Sequence, residues 1–280
     1  MFMKLEGAKR KLKILLAPRS LAAVLVIEKH HEVLRRVGLN TMDGVRNFQG
    51  TLIKNHKGRR DIQRITTEAG VFFLKRNWKP YRKDGLNSLF TRGRVWSQSR
   101  VEWENSRALQ KAGIDVAEPI AFGEECGALW EHFSFFISRE ARGGITVEEF
   151  LRTPSDRKQR RHVLASLAAT VRQMHDAGMA SPDLFTRHIF VEIGPTPKFC
   201  LIDMARLNRR NRIPARMRAR DLAALNVSTP LRFATPRERL RFLTAYGGDQ
   251  QLLRRIERRT QHLLQRRKFR DFFGEPTGEG

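Results

Sequence analysis

Acidic residues and long apolar runs are both scarce in this 280-residue chain. Asp and Glu number 29 against 54 Lys and Arg, which gives a formal net charge of +25 at pH 7. Such a surplus attracts polyanions, among them nucleic acid, anionic lipid, phosphorylated glycan and nucleotide, and it does not choose among them. No apolar run reaches the ~18 residues that a membrane span needs, so we expect a soluble or peripheral protein.

Cysteine is equally scarce. The chain has two, Cys126 and Cys200, which lie far apart in sequence and show no metal-ligand spacing, so neither a disulfide framework nor a zinc site is expected. Cys200 lies in the apolar run 199–202 and is predicted to be a buried thiol. This cysteine usage fits a reducing cytoplasm, and the hydrophobic content of 40% fits a globular protein.

The first 46 residues are predicted to form a basic, helical extension. Two helical segments are expected within the first 37 residues, with a break at Pro18. The segment before Pro18 places basic side chains among apolar ones: Lys4, Lys9, Arg10, Lys11 and Lys13. Two interpretations stay open for this segment, an amphipathic helix that lies on a membrane surface or a helix that packs on the domain with a solvated basic face.

Strand patterns dominate the next part of the chain, and helical patterns dominate the part after it. Strands are predicted at 51–54, 61–67, 71–75, 120–122 and 133–137, with one helix from about Ser99 to Ala112. Beyond Gly143, helices are predicted at 146–151, with Thr146 as the cap, at 157–177, and from about 219 onward, and two short strands at 189–193 and 199–202. This order predicts an α+β fold of two lobes with a cleft between them, a β-rich lobe over 47–140 and a mainly helical lobe over 141–280.

Four charged residues occur in an order that indicates phosphoryl transfer. Lys75 ends an apolar strand, Glu102 lies on the following helix, Asp183 lies on a loop after a helix, and Asp203 ends a buried strand. Each residue alone is more often an exposed lysine, a solvated glutamate or a turn residue. The joint order is much rarer, and it suits a reaction that needs positioning and charge neutralisation rather than covalent chemistry.

The chain resembles the lipopolysaccharide kinase family, especially the inner-core heptose kinases and the related Kdo kinases. The resemblance covers roughly residues 40–246 and rests on motifs at 48–50, 73–75, 102–103, 112–114, 120–124, 174–178, 183–185 with His188, 201–203 with Arg206, and 220–222 before Ser228. It implies a protein-kinase-like fold and the use of ATP and Mg²⁺.

The resemblance also implies a role for each matching residue. Lys75 would contact the nucleotide phosphates and pair with Glu102, Asp183 would be the catalytic base, and Asp203 would hold the metal. His188 stands where protein kinases carry a metal-binding asparagine, although Mg²⁺ prefers oxygen ligands. The remaining implied nucleotide contacts are Gln49 and Gly50, in the loop over the phosphates, and Glu140, in the hinge segment 138–141 near the adenine.

Two departures from the family pattern bear on activity. Ser181 and Pro182 replace the usual His-Arg before the catalytic aspartate, and that histidine normally braces the loop. Met204 replaces the residue after Asp203 that is usually phenylalanine in protein kinases and leucine in this family. Neither change removes a charged catalytic group, so an active enzyme is favoured over a pseudokinase.

The basic surface indicates the partners. Segments 206–220 and 251–270 are rich in arginine and nearly free of acidic residues. An anionic glycolipid or sugar acceptor and an anionic membrane surface would explain them, on the cytoplasmic, inner face of the inner membrane. A nucleic-acid-binding protein explains the charge but not the order of Lys, Glu, Asp and Asp, and no specific nucleic acid is expected. A kinase-like scaffold and a kinase of small molecules such as amino-sugars stay open.

Overall fold

The computed structural model describes residues 14–16, 21–81, 88, 95–127, 129–229 and 232–266. The chain divides into two compact units. The first comprises the described residues up to Glu104 together with Glu118–Glu140. The second comprises Asn105–Ala117 and the described residues from Ala141 onward.

The first unit is built on a seven-stranded antiparallel sheet. Its strands are β1 (Ile14–Leu16), β2 (Leu21–Val26), β3 (Thr51–Asn55), β4 (Arg60–Thr67), β5 (Gly70–Asn77), β6 (Pro119–Cys126) and β7 (Glu131–Arg139). They are arranged in the order β1-β2-β6-β7-β5-β4-β3. The helices α1 (His31–Arg36) and α2 (Met42–Asn47) lie in the same unit, and α3 (Gln98–Lys111) begins there. The predicted strands at 51–54, 61–67, 71–75, 120–122 and 133–137 and the predicted helix near 99–112 are confirmed.

The predicted pair of helical segments at the N-terminus is wrong for the residues that the structure describes. Strand β1 pairs with β2, and β2 pairs antiparallel with β6 from Leu21↔Cys126 to Val26↔Ala121. Val24 and Val26 are buried, so the edge that β6 offers overrides the helix preference of a Leu- and Ala-rich segment. Among the described residues up to 37, the helical ones are the short 3-10 helix Glu28–His30 and α1. Lys4 and the other basic residues up to Lys13 lie outside the described residues.

Alternation along β5 sends neighbouring side chains to opposite faces of the sheet. Phe72 and Leu74 join the buried cluster that includes Leu34 and Val45 of α1 and α2. Lys75 points to the other face, opposite Phe136 in the strand pairing, where Trp103 of α3 packs with Phe122. The position of Lys75 in the period of two therefore decides which side of the sheet receives its ammonium group.

The second unit is mainly helical and has its own core. Its helices are α4 (Val147–Arg152), α5 (Arg157–Asp176), α6 (Ala215–Val227), α7 (Pro236–Tyr246) and α8 (Gln250–Leu264). Strands β8 (Ile145–Thr146), β10 (Ile189–Glu192) and β11 (Lys198–Leu201) form one small sheet, and β9 (Met179–Ala180) pairs with β12 (Asn208–Arg209). The predicted helices at 146–151 and 157–177 and the predicted strands at 189–193 and 199–202 are confirmed.

Helix α5 is the centre of this core and leads to the loop that carries Asp183. Its residues Val163, Leu167, Val171 and Met174 recur at helical spacing and are buried. Gly178 ends the helix with a φ of +78°, and a Cβ there would lie 2.1 Å from the carbonyl oxygen of Arg210. Only glycine fits this turn, so the sequence fixes where the chain leaves the helix.

Burial also raises the pKa values of the two cysteine thiols. Cys200 is buried in β11, as predicted, and desolvation raises the pKa of its thiol to about 11. Desolvation raises the pKa of the Cys126 thiol to about 12. Both thiols are therefore protonated at neutral pH, and neither has the thiolate character of a nucleophile.

Candidate active site

Lys75 and Glu102 form a buried ion pair in the first unit. The Nζ atom of Lys75 lies 2.6 Å from Oε1 of Glu102, and the exposed fractions of the two residues are 9% and 4%. The ammonium also lies 6.0 Å from the centre of the Phe136 ring. An ammonium held in one place by a carboxylate is preorganised to receive the phosphates of a nucleotide. The structure thus brings together the two residues that the sequence predicted as a pair.

The position of Glu102 is fixed because the beginning of α3 is tied to the sheet by carboxylates. The backbone N–H of Ser97 donates to Glu124 (3.2 Å), and the N–H of Gln98 donates to Glu131 (2.9 Å). Arg100 adds an ion pair to Glu124 at 2.8 Å. Negative side chains are favoured at a helix N-terminus, where backbone N–H groups lack partners. Helix α3 is therefore anchored at its first turn, one turn before Glu102.

Arg60 is a member of this cluster that the sequence analysis missed. Its NH2 atom lies 3.8 Å from Oε2 of Glu102, so the carboxylate lies between two cations. The alternation of side chains along β4 could have indicated its position. Ile62 pairs with Lys75 across β4 and β5, and Arg60 lies two residues before Ile62, which places it on the same face as Lys75.

The loop with Gln49 and Gly50 is held from two sides. Arg76 of β5 donates to the carbonyls of Val45 (2.9 Å) and Phe48 (3.0 Å), so its guanidinium caps the end of α2. The N–H of Gly50 donates to the side chain of Gln63 at 2.7 Å. A Cβ at Gly50 would lie 2.8 Å from the carbonyl oxygen of Arg64, so the backbone approach to β4 requires glycine.

Glu140 lies at the end of the first unit, directly after β7. Its backbone N–H donates to the carbonyl of Val71 at 2.9 Å, which ties the segment 138–141 to β5. Its side chain is half exposed and lies 3.9 Å from Arg64. The backbone is thus fixed at the predicted hinge, and the side chain lies at the surface next to Arg64. A nucleotide contact by Glu140 stays a prediction.

In the second unit, Asp183 lies on the loop after β9 and faces an arginine. NH1 of Arg206 donates to both carboxylate oxygens of Asp183, at 2.9 and 3.3 Å. The side chain of Asp183 is 19% exposed, and that of Arg206 is 69% exposed. The N–H of Asp183 donates to the hydroxyl of Ser181 at 3.3 Å. The carboxylate is therefore oriented and still accessible, as a general base must be.

His188 braces the same loop. Its Nδ1 lies 2.8 Å from the carbonyl oxygen of Asp183, and Arg187 Nε donates to its Nε2 at 3.3 Å. Both contacts suit the neutral imidazole with its proton on Nδ1. Burial lowers the pKa of His188 below the ordinary 6.5, although Asp203 opposes the shift. The imidazole, like the Ser181 hydroxyl, therefore helps to hold the Asp183 loop.

Asp203 follows β11 in a left-handed backbone conformation, with φ +60° and ψ +51°. Among the described residues, the only other non-glycine with a positive φ is Lys57. Left-handed backbone at an aspartate costs energy and concentrates at functional sites. The turn is held because Ile202 N–H donates to the carbonyl of His188 (3.0 Å) and Asn105 donates to the carbonyl of Met204 (2.9 Å).

The described residues contain no cluster of three or more His, Cys, Asp or Glu side chains arranged to hold a metal. Mg²⁺ does not need such a cluster, because it is usually bound by one or two carboxylates together with substrate phosphates and water. The strand-end carboxylate of Asp203 fits that requirement.

Buried polar side chains connect α5, α6 and the end of α7 in the second unit. His175 at the end of α5 contacts Tyr246 OH through Nδ1 (2.8 Å) and the buried Asp221 of α6 through Nε2 (3.2 Å). Beyond α6, the hydroxyl of Ser228 accepts from the N–H of Thr186 at 3.0 Å. The motifs 174–178 and 220–222 are therefore joined in space. These contacts were not evident from the sequence, because the partners lie 46 and 71 residues apart.

Both units thus carry groups suited to placing a polyphosphate, activating a hydroxyl and neutralising charge. With the α+β architecture, they define a phosphotransferase with a protein-kinase-like fold. A solved structure titled "WaaP in complex with acyl carrier protein" shows this fold. It has a TM-score of 0.64 and 23% sequence identity, and the match covers 85% of this chain and 98% of that chain.

Comparison of sequences gives the family. Residues 43–246 match the model of the lipopolysaccharide kinase (Kdo/WaaP) family. The chain is 28% identical over 236 residues to the lipopolysaccharide core heptose(I) kinase WaaP of Escherichia coli K12, covering 81% of this chain and 88% of that kinase. It is 25% identical over 249 residues to the kinase of the same name from Pseudomonas aeruginosa PAO1, covering 82% and 92%. The chain belongs to the lipopolysaccharide kinase family and is an ATP-dependent kinase, which confirms the predicted fold class, family and enzyme class.

Proposed function

We propose that this kinase transfers the γ-phosphoryl group of ATP to a hydroxyl of an inner-core heptose of lipopolysaccharide. One observation carries the choice of heptose over Kdo. Three relatives that match at least 75% of the chain are all named lipopolysaccharide core heptose(I) kinases. The family model itself covers kinases of both sugars.

The first unit would bind the nucleotide. The Lys75 ammonium, held by Glu102, would contact the phosphates, and the loop with Gln49 and Gly50 would cover them with backbone N–H groups. The segment 138–141, including Glu140, would lie near the adenine. The carboxylates that anchor α3 support this proposal, because they fix Glu102 and hence Lys75 before any nucleotide arrives.

The second unit would activate the acceptor. Asp183 would take the proton of the sugar hydroxyl as its oxygen attacks the γ-phosphorus. The bond from the γ-phosphorus to the bridging oxygen then breaks, and ADP leaves with that oxygen. Arg206 would keep the Asp183 carboxylate oriented. Each carboxylate oxygen has two lone-pair sites, so the contact with Arg206 leaves room for the hydroxyl.

Asp203 would hold Mg²⁺, which when bound neutralises charge on the phosphates. His188 has two candidate roles, metal ligand and brace of the Asp183 loop. Its hydrogen bonds to the Asp183 carbonyl and from Arg187 favour the second, since both ring nitrogens are already engaged. As a brace, His188 would keep both hydrogen bonds during the reaction, whereas a metal ligand would have to give one of them up.

We also propose that the protein acts at an anionic membrane surface on the cytoplasmic face of the inner membrane. The formal net charge of +25 supports this location. In the part of the chain that the structure describes, no helix combines the length and apolar character of a transmembrane helix. The acyl carrier protein named with the solved WaaP is a second partner to test, by pull-down with the purified protein.

The test of substrate is transfer of labelled phosphate from ATP to two purified acceptors, lipopolysaccharide truncated after Kdo and lipopolysaccharide that ends at the first heptose. We expect product only with the heptose-containing acceptor, with the new phosphate located on heptose by mass spectrometry. Transfer to the Kdo-terminated acceptor would show that the acceptor sugar is Kdo and not heptose. Transfer to a small amino-sugar alone would overturn the lipopolysaccharide assignment.

A further inference from the structure

The second unit contains an arginine-lined groove that none of the proposed catalytic residues lines. Its volume is ≈1000 Å³, and it lies against the first turns of α5 and α7. Among the described residues that line it, seven are arginines and one, Glu238, is acidic. The Glu238 carboxylate is already paired with Arg160. We name this cavity the arginine groove. It carries a strong excess of positive charge that the proposed reaction does not use.

Four of these arginines form two pairs at helical spacing. Arg157 and Arg161 lie on α5, and Arg237 and Arg241 lie on α7. All four are exposed, and no described residue forms an ion pair or hydrogen bond with any of their guanidinium groups. Like charges at i and i+4 destabilise a helix. Two such pairs on adjoining helices are therefore unfavourable for folding unless an anion neutralises them.

The base of the groove is fixed, in contrast to these four side chains. Arg160 donates to Glu238 and to the carbonyls of Leu151 and Phe233. The guanidinium of Arg152 lies over the Phe233 ring at 5.2 Å. A ligand entering the groove would meet a rigid floor, with the four arginines of the two pairs free to orient toward it.

The first turns of α5 and α7 border the groove. Both helix N-termini are already capped by acidic side chains, α5 by Asp156 and α7 by Glu238 together with Thr235, so the positive charge of the groove comes from its arginines. The hydroxyl of Ser155, which lines the groove, is buried and has no hydrogen-bond partner among the described residues. An unsatisfied buried hydroxyl costs free energy, which a bound acceptor group would recover.

We propose that the arginine groove binds phosphate groups carried by a glycan or a lipid headgroup, at a site lined by none of the residues proposed to bind the nucleotide. Guanidinium groups match phosphate in charge and planar geometry, and they form two parallel hydrogen bonds to it. Paired arginines on two helices suit a ligand with two phosphates, or one phosphate seated between the helices. The site depends only on residues of the second unit and does not rest on the proposed substrate.

Two binding measurements test the site. The first is calorimetric titration with inorganic pyrophosphate, and the second is co-sedimentation with vesicles of phosphatidylcholine alone or mixed with phosphatidic acid. The double variants Arg157→Gln/Arg161→Gln and Arg237→Gln/Arg241→Gln remove one pair each. Arg254→Gln/Arg258→Gln on the exposed side of α8 removes the same charge at the same spacing and is the matched control.

We expect each groove variant to weaken binding about tenfold or more, because each loses two charge-assisted contacts. The control should change binding by less than about twofold. The unfolding midpoint of the groove variants should stay the same or rise, since a repulsive pair is relieved. Loss of pyrophosphate binding alone identifies a soluble phosphorylated ligand, and loss of vesicle binding identifies a lipid headgroup.

Equal losses in the groove and control variants would overturn the proposal, because they would show a general charge effect. Unchanged pyrophosphate binding in both groove variants would place that ligand elsewhere, for example at Lys75. Absence of binding to both probes, with tight binding of duplex DNA or of acyl carrier protein that the groove variants abolish, would make the groove a docking surface for that macromolecule instead.

Discussion

One nitrogen of Arg206 donates to both carboxylate oxygens of Asp183, at 2.9 and 3.3 Å. Arg206 is largely exposed, so its removal should cost less than about 1 kcal/mol of folding free energy. Its loss would release the carboxylate from one orientation, and loosened placement of a catalytic group is costly in rate. We expect Arg206→Gln to lower kcat about tenfold or more, and Arg206→Lys to lie between it and the wild type.

The measurement is steady-state transfer together with thermal unfolding. Arg216→Gln, an exposed arginine on α6, is the control and should match the wild type in both. A faster Arg206→Gln enzyme would mean that the ion pair restrains the base rather than orienting it, and the proposed role would be abandoned.

Glu102 lies between Lys75 and Arg60. This arrangement predicts that substitution of Glu102 lowers the free energy of unfolding more than substitution of Lys75 does. Removing the carboxylate by Glu102→Gln deprives two cations of it, whereas after Lys75→Met the carboxylate still has Arg60 nearby. Breaking a buried pair costs about 3–5 kcal/mol. We expect chemical denaturation to show a larger loss for Glu102→Gln than for Lys75→Met.

Transfer kinetics test the same pair independently. Each single variant should lose about 10²-fold in kcat/KM, and the double variant should be little worse than either, because the two residues act as a unit. Glu104→Gln on the same helix is the control. Fully additive losses in the cycle would show that Glu102 does not act through Lys75.

His188 predicts an acid-dependent loss of stability. Its folded-state pKa is lowered by burial, so below its ordinary pKa of 6.5 the unfolded chain binds the proton more readily than the folded chain. The free energy of unfolding therefore falls as the pH falls through and below that value. Above it, His188 is neutral in both states and has no such effect on stability. His188→Asn keeps a hydrogen-bonding side chain and removes the titration. The unfolding midpoints of variant and wild type, measured by urea denaturation, should diverge in favour of the variant as pH falls below 6.5. Parallel pH curves would exclude His188 as the cause.

Tyr246, at the end of α7, contacts the buried His175 at the end of α5. Tyr246→Phe removes the hydroxyl that contacts His175 Nδ1, and it should cost about 1–3 kcal/mol because a buried polar atom loses its partner. The KM for ATP should stay unchanged, since Tyr246 lies in the second unit and is proposed to contact no nucleotide. Tyr81→Phe, at an exposed position, is the control for denaturation. A Tyr246→Phe protein as stable as the wild type would show that the contact contributes nothing.

Local patterns predicted most of the strands and helices, because their signals lie within a few residues. The alternation along 71–77 and the helical spacing of Val163, Leu167 and Val171 determine those elements without reference to distant partners. The N-terminal strands were missed because residues 21–26 become a strand only when β6 offers an edge for pairing. That information lies about 100 residues away along the chain.

The candidate site shows the same division. The order of Lys75, Glu102, Asp183 and Asp203 was sufficient to indicate phosphoryl transfer. Arg60 belongs to the cluster because of the register in which β4 pairs with β5. That register could not be predicted from the sequence. The contact between His175 and Asp221 likewise depends on how α5 lies against α6, so it could be seen only in the structure.

The most direct test of the account is transfer of the γ-phosphoryl group from ATP to heptose-containing lipopolysaccharide by the wild type and by Asp183→Asn. The substitution keeps the size of the side chain and removes the proton acceptor, so the variant should unfold at the same temperature and bind ATP with the same affinity. We predict phosphorylated product with the wild type and product near background with Asp183→Asn. A folded Asp183→Asn protein that transfers phosphate at the wild-type rate would contradict the account.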